Sequence, residues 1–567
     1  MTLIDWLMIF GYFGLLAGVV FFTRRRQETS QDFFLGGRSV GWLAIGASIF
    51  AANIGSEHVV GLAGQGARTG LSLAHLEFHS WVLILMCWVF LPFYYRSGVQ
   101  TMPEFLERRF GARARWILSL VSLAAYVLTK ISVTVFAGAL FFEVMMPEVQ
   151  FTLGGVTVTS FWIGAFATVL LAGVYASLGG LLAVVYTDLV QTGLILAGSL
   201  SVTYFALKHL GGTVDGGTFL DGWGVLKATI KAAPATKEAF ALWHPLSHPT
   251  FPWLGLTIAS ATIGVWYWCT DQFIVQRMLA ARNLTNARRG AIWGAVLKLM
   301  PVFIFLVPGL LGWALHQHHA GGFAIPLDAQ GGIDGDKVFP SLVTQLLPVG
   351  FRGLVVAGLI AALMSSLASL FNSVSTLFTV DVYQKLKPET PPQKLVTIGR
   401  STTVAMTVLG LIWVPIMKAI AGGGLYQYIQ AVQSFLAPPI VAVFVLGLVW
   451  KRMNVRGACW GLGLGFVLGM AKLAVNAVWG GADGFALIQD FYFSGILLVI
   501  SVLIVVVASL TAPAPDVAHL NGLNFHCLDA QYRKENRESW NWVDVVASVF
   551  VVGCVIAAYA YFWTWLN

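Results

Sequence analysis

Between Gly41 and Gly64 the chain is apolar, yet its middle reads Ala51-Ala52-Asn53-Ile54-Gly55-Ser56-Glu57-His58. An amide, a hydroxyl, a carboxylate and an imidazole thus stand at what should be bilayer depth. A charged side chain at the centre of a membrane helix costs about 2.5–3.5 kcal/mol. Irregular backbone survives there only where it is buried in protein or lines a wet cavity. Asn53 to Glu57 therefore reads as a helix break facing a polar pocket, with a kinked helix of satisfied polar groups as the plainer alternative.

Farther along, Ala362, Ser365 and Ser366 fall at i, i+3 and i+4 and share one helical face. Two hydroxyls, and a carbonyl where the helix opens, are hard oxygens of the kind a sodium ion takes. The backbone carbonyls of Ala51 and Ile54, which flank the break, would supply the rest. The same spacing of small residues also serves helix packing in membranes, and spacing alone favours packing over ion binding.

Asn53, His58, Glu77, Lys298 and Gln430, with Tyr267 and Trp268, join amides and charged groups to aromatic plates. A sugar, a ring of hydroxyls with a partly apolar face, requires that combination. Each residue also has a plainer reading: Glu77 touching water at an outer mouth, Lys298 paired with a carboxylate for structure, the tryptophans forming an interfacial belt. Asp188, after Gly179-Gly180, is a helix-end charge or a relay group, and Pro438-Pro439 interrupt the backbone ladder beyond Gln430 and Gln433. His316-Gln317-His318-His319 reads as a solvated loop.

These groups sit in a chain of 567 residues that is 57% hydrophobic and 11% charged, against about 25% charged in soluble domains. This is the composition of an all-α polytopic membrane protein. Fourteen apolar segments recur, at about 5–23, 41–64, 76–98, 115–146, 158–178, 183–207, 251–270, 289–317, 352–382, 397–418, 425–450, 456–478, 490–512 and 541–564. Basic clusters (Arg24–Arg26, Arg108 to Arg115, Arg277 to Arg289, Lys385 to Lys394, Lys451 to Arg456, Arg533 to Arg537) occupy alternate connections. By the positive-inside rule both termini lie outside. The net charge of +8 is spread over these connections, so it reports topology and not nucleic acid. Five dispersed cysteines with no metal-ligand spacing imply free thiols.

Counting five helices from the one with Asn53, the sixth is the short aromatic segment ending Trp266-Tyr267-Trp268-Cys269-Thr270-Asp271-Gln272. Interrupted segments at matching places in two halves point to an inverted-repeat transporter. The expected organisation is an extra N-terminal helix and linker (1–40), a ten-helix transport core (41–450) and C-terminal helices (451–567).

The runs 51–58, Thr-Met-Pro-Glu-Phe (101–105), Gly-Gly-Leu-Leu-Ala-Val-Val-Tyr-Thr-Asp (179–188), 266–272, Leu-Met-Ser-Ser-Leu (363–367) and Tyr-Ile-Gln (428–430) closely resemble the sodium/glucose cotransporters of the sodium:solute symporter family. The likeness runs from about Asp32 to Arg456 and is looser over the last three helices. It implies about fourteen transmembrane helices, a LeuT-type 5+5 inverted repeat with broken helices, and sodium-driven uptake of a monosaccharide across the plasma (inner) membrane by alternating access.

Carried over by position, Asn53, His58, Glu77, Trp268, Lys298 and Gln430 would bind the sugar, and Tyr267 would close its inner side. Ala51, Ile54, Ala362, Ser365 and Ser366 would form the sodium site. Ala362 stands where some members have serine, a mild departure if the backbone carbonyl is the ligand. Ala368 replaces the threonine of members that couple two sodium ions, although Asp188 and Ser369 remain as a coupling or second-ion region. One sodium per sugar is therefore expected. No nucleic acid and no obligate protein partner are expected beside sugar, sodium and the lipid bilayer. A symporter for another polyol such as inositol and a non-transporting sugar sensor are the rivals. Nothing in the sequence favours a membrane-embedded enzyme.

Overall fold

A computed structural model describes residues 2–23, 29–153, 156–328, 331–420, 425–479 and 488–566. The Arg24–Arg26 cluster and the Gly422–Gly424 link fall outside the described residues. Each of the fourteen apolar segments falls on helix. By length and composition the described residues hold ten helices able to cross a membrane, or eleven when one bent pair counts as a single span. The chain is thus a helical membrane bundle whose one sheet, among the described residues, is the short antiparallel pair 151–153 and 156–158.

The first helix, α1, covers Leu3–Thr23. The segment with Asn53 is the bent pair: α2 (Trp42–Asn53) stops, and the chain resumes through a π-helical turn at Glu57–Leu62 into α3 (Ala63–Thr69), at 62° to α2. Ile54 adopts an extended conformation (φ −85°, ψ 102°), and the last bond of α2 runs from the Ile54 N–H to the Phe50 carbonyl. The carbonyls of Ala51 to Asn53 are left beyond the helical ladder.

Next comes α4, a 52-residue helix from Ser160 to Gly211. It is two helices joined at a kink: run straight at 1.5 Å per residue, its length would be about 78 Å, more than two hydrocarbon thicknesses. It covers the two segments read as 158–178 and 183–207, and Gly180 between them (φ 57°, ψ −163°) supplies the break that a side chain would resist.

The aromatic segment is broken in the same way. In it α5 (Trp253–Val265) passes through a π turn at Trp266–Thr270 to an extended Asp271 (φ −81°, ψ 127°), and α6 (Gln272–Leu279) follows. The two breaks thus have nearly the same backbone angles. Against α2 packs α7 (Leu284–Leu297), with no room for side chains at the crossing: a Cβ on Gly46 would lie 2.7 Å from the Gly290 carbonyl oxygen. Small residues allow such close helix contact in membranes.

The helix of the serines, α8 (Phe351–Thr376), is the centre of the bundle. Its most apolar stretch is 94% buried, against 17% in α1 and 22% in the last helix, Trp542–Trp565. The outer helices instead expose Leu7, Phe10, Val546, Val549 and Phe550, as lipid-facing surfaces do. One expectation is refined and one changes. Pro438 and Pro439 lie inside one continuous helix, α9 (Leu425–Val449), and the Phe435 carbonyl that Pro439 cannot bond is approached closely by Gly469. His316 and His318 form the last turn of the helix Val307–His318, and only His319 lies beyond it.

Candidate substrate and ion site

The two breaks meet at a cavity of ≈ 60 Å³. It is lined by all seven residues singled out for a sugar: Asn53, His58, Glu77, Tyr267, Trp268, Lys298 and Gln430. Asn53 ends α2 and Lys298 follows α7, so two separate helix ends present them to the same space. The Lys298 ammonium donates to Glu77 Oε2 (2.6 Å) and to Asn53 Oδ1 (2.8 Å), and Asn53 Nδ2 donates to the Tyr267 hydroxyl (3.2 Å). His58 Nε2 lies 3.6 Å from the other Glu77 oxygen. Glu77 is 1% exposed, which removes the outer-mouth alternative.

Trp268 adds a plate 5.5 Å from the ammonium. Its indole N–H and the side-chain oxygen of Gln430 are buried with no hydrogen-bond partner. Buried polar atoms are nearly always paired, so a free donor and a free acceptor on one cavity are groups that a bound molecule could engage.

Beside the cavity, the Ser366 hydroxyl lies 3.1 Å from the carbonyl oxygens of both Ala52 and Ile54. Ser366 also lines the cavity. Ser365 turns the other way and donates to Asp188 Oδ1 (2.6 Å), whose second oxygen accepts from Ser48 (2.5 Å). Arg277 Nε donates to Ser48 (2.9 Å) and stands 4.0 Å from Asp188. The structure therefore brings Ile54 and Ser366 together and gives Ser365 to Asp188. Ala51, Ala362 and Ser369 are also buried, and the Ser369 hydroxyl has no partner.

Three charged groups of this region were not assigned roles from sequence. Lys130 pairs with Asp271 at 2.5 Å, and its ammonium lies 4.6–5.1 Å from the rings of Tyr126, Trp266, Tyr267 and Phe273. Asp271 also accepts from the Phe273 N–H, capping α6, so this pair fixes the second break. Glu57 lines the cavity between His58 and Thr134. A lysine inside the apolar segment 115–146 was a visible signal, since such residues are functional by default.

A polar cavity held between two broken helices at the middle of an all-helical membrane bundle defines a solute carrier. Residues 33–465 match the model of the Sodium:solute symporter family, and the chain belongs to that family. Among its relatives, sodium/glucose cotransporter 4 of Danio rerio is 38% identical over 543 residues, covering 90% of this chain and 78% of the relative. Sodium/glucose cotransporter 1 of Oryctolagus cuniculus is 38% identical with the same coverage. Sodium/myo-inositol cotransporter 2 of Oryctolagus cuniculus is 36% identical over 91% of this chain and 78% of its own length. A solved outward-open structure of a sodium-coupled sialic acid symporter superposes with a TM-score of 0.72 at 22% identity, over 91% of this chain and 99% of that one, so the fold is shared.

Proposed function

We propose that this protein carries a monosaccharide of the glucose or galactose type into the cell, coupled to sodium, by alternating access. The observation that carries this reading is the single cavity lined by Asn53, His58, Glu77, Tyr267, Trp268, Lys298 and Gln430. Carboxylate and amide oxygens accept sugar hydroxyls, Lys298 and the Trp268 N–H donate, and the aromatic plates cover the C–H face. As it stands the cavity has room for a few waters. The sugar therefore displaces the bonds that Lys298, Glu77 and Asn53 make to one another, and Tyr267 closes its inner side. The likeness to sodium/glucose cotransporters supports the choice of sugar.

Sodium is the second transported solute. It is held by the carbonyls of Ala51, Ile54 and Ala362 and by the hydroxyls of Ser365 and Ser366, one ion per sugar. Asp188 and Ser369 form the adjoining coupling region. The chain crosses the plasma membrane fourteen times with both termini outside, the transport core spanning 41–450 between the flanking parts 1–40 and 451–567. In support, Asp5 meets Gly350 and Gly353 while Tyr12 meets Met364, so α1 and α8 run parallel. Parallel spans are separated by an odd number of others, and the sequence has seven apolar segments between these two.

A second reading, a symporter for myo-inositol, is favoured by the 36% identity to the rabbit inositol cotransporter; the same donors and acceptors suit a ring polyol. Uptake of labelled glucose, galactose and myo-inositol into proteoliposomes, under an inward sodium gradient and an equal potassium gradient, separates these readings. Sodium-dependent accumulation of glucose or galactose is expected. Accumulation of inositol alone supports the second reading, and sugar binding without accumulation supports a sensor.

A further inference from the structure

The N-terminal helix α1 packs on α4 and α8, and none of its described residues lines the cavity. It is nonetheless bonded to α8 at two places. Asp5, fully buried, accepts with Oδ1 from the N–H groups of Gly350 (2.9 Å) and Gly353 (3.0 Å), at the start of α8. Its other oxygen accepts from the Thr2 N–H and hydroxyl, both at 2.8 Å. The first N–H groups of a helix have no partner within the helix. The residue before α8 is Gly350, which has no side chain to cap it, so the cap comes from the far end of the chain. A Cβ on Gly353 would lie 2.5 Å from the Asp5 backbone, so the contact admits no side chain there.

The second attachment lies behind the sodium-site serines. The Tyr12 hydroxyl accepts from Gln191 Nε2 (2.9 Å) and lies 3.7 Å from the sulfur of Met364, the residue before Ser365. Tyr175, from α4, donates to the Met364 carbonyl (2.9 Å). Gln191 lies one turn after Asp188 on α4, and Asp188 takes the Ser365 hydroxyl. The Met364–Ser365 stretch is therefore gripped from one side by Tyr12 and Tyr175, while Ser366 reaches the carbonyls of the broken helix on the other.

We propose that α1 is the positioning element of the sodium site. Asp5 fixes α8 along its axis and Tyr12 fixes its rotation against α4, so both residues set sodium affinity without touching ion or sugar. The inference rests on the sodium assignment given above. Its test uses the full-length protein: binding of radiolabelled sodium to Asp5→Ala, Asp5→Asn, Tyr12→Phe and Ser366→Ala, followed by the sugar KM for labelled glucose at saturating sodium.

The sodium Kd is expected to rise about threefold to tenfold in Tyr12→Phe and further in Asp5→Ala. Asp5→Asn, which keeps an acceptor for Gly350 and Gly353, should shift less than Asp5→Ala. The sugar KM at saturating sodium should stay within about twofold, a split that general loosening would not produce. Tyr12→Phe changes one atom and keeps the test alive if the Asp5 variants do not fold. An unchanged sodium Kd in Tyr12→Phe while Ser366→Ala shifts it overturns this inference alone. Unchanged sodium Kd in Ser366→Ala overturns the sodium assignment and the inference with it. Equal shifts in sodium and sugar affinity also overturn the inference.

Discussion

Replacing Glu77 with Gln tests the cavity at its buried ion pair. Glu77 is the charged acceptor of Lys298 at 2.6 Å, and Lys298 is 2% exposed. The change leaves a buried ammonium with neutral acceptors only, and breaking a buried pair typically costs about 3–5 kcal/mol of stability. If the same carboxylate also accepts from the sugar, transport loses a charge-assisted hydrogen bond worth roughly 1.5–3 kcal/mol. The sugar KM should then rise about tenfold to 150-fold. The double variant Glu77→Gln with Lys298→Met separates the two effects, because it removes both charges. Thermal unfolding should show most of the lost stability restored, while sodium-driven glucose uptake stays impaired. A wild-type KM in Glu77→Gln, or a KM restored in the double variant, would show that the pair is structural and the reasoning wrong.

Trp268→Phe keeps a plate but removes an N–H that has no protein partner, so the sugar KM should rise about twofold to tenfold with no loss of thermal stability. An unchanged KM would remove the indole from the sugar contacts. Asp271→Asn leaves Lys130 without its charged partner and should lower stability sharply, whereas Asp271→Asn with Lys130→Met should recover it; equal melting of the two variants would mean that the ion pair does not hold the second break. Paired isotope fluxes should give a sodium-to-sugar ratio near one, and a ratio near two would establish a second ion.

The sequence exposed the groups that are costly in a membrane. Asn53, Glu77 and Lys298 stood out because each interrupts an apolar run, and the structure gathers them within hydrogen-bond distance. Which group bonds which was not legible: Lys298 reaches across 221 positions to Glu77, and Lys130 across 141 to Asp271. Periodicity carries no information about such pairings. Spacing alone read the serine face as packing before ion binding, because hydroxyl direction is decided by neighbours. Asp188 draws Ser365 away while the free carbonyls after Ala51 draw Ser366 toward the break. The proline pair was legible as lost backbone bonds, but not in its outcome. Loss of a backbone donor is certain from sequence, but whether the helix stops there is not, and α9 continues past both prolines.

Ser366 joins the two halves of the proposed cycle, since it lines the cavity and also holds the Ala52 and Ile54 carbonyls at the break. In the proposed site the ion takes the Ile54 carbonyl and so competes with one of these bonds, and any change in how α2 ends moves Asn53, one residue away. On that proposal sodium and sugar act on neighbouring atoms, and by linkage each must raise the other's affinity by one factor. The Asp188 environment supports the proposal of a single ion. Both of its oxygens already accept hydroxyls and the Arg277 guanidinium stands 4.0 Å away, so a second cation would compete with a fixed one. One ion is sufficient for uptake: about 2.3 kcal/mol per 100 mV with about 1.4 kcal/mol for a tenfold gradient sustains roughly several hundredfold accumulation.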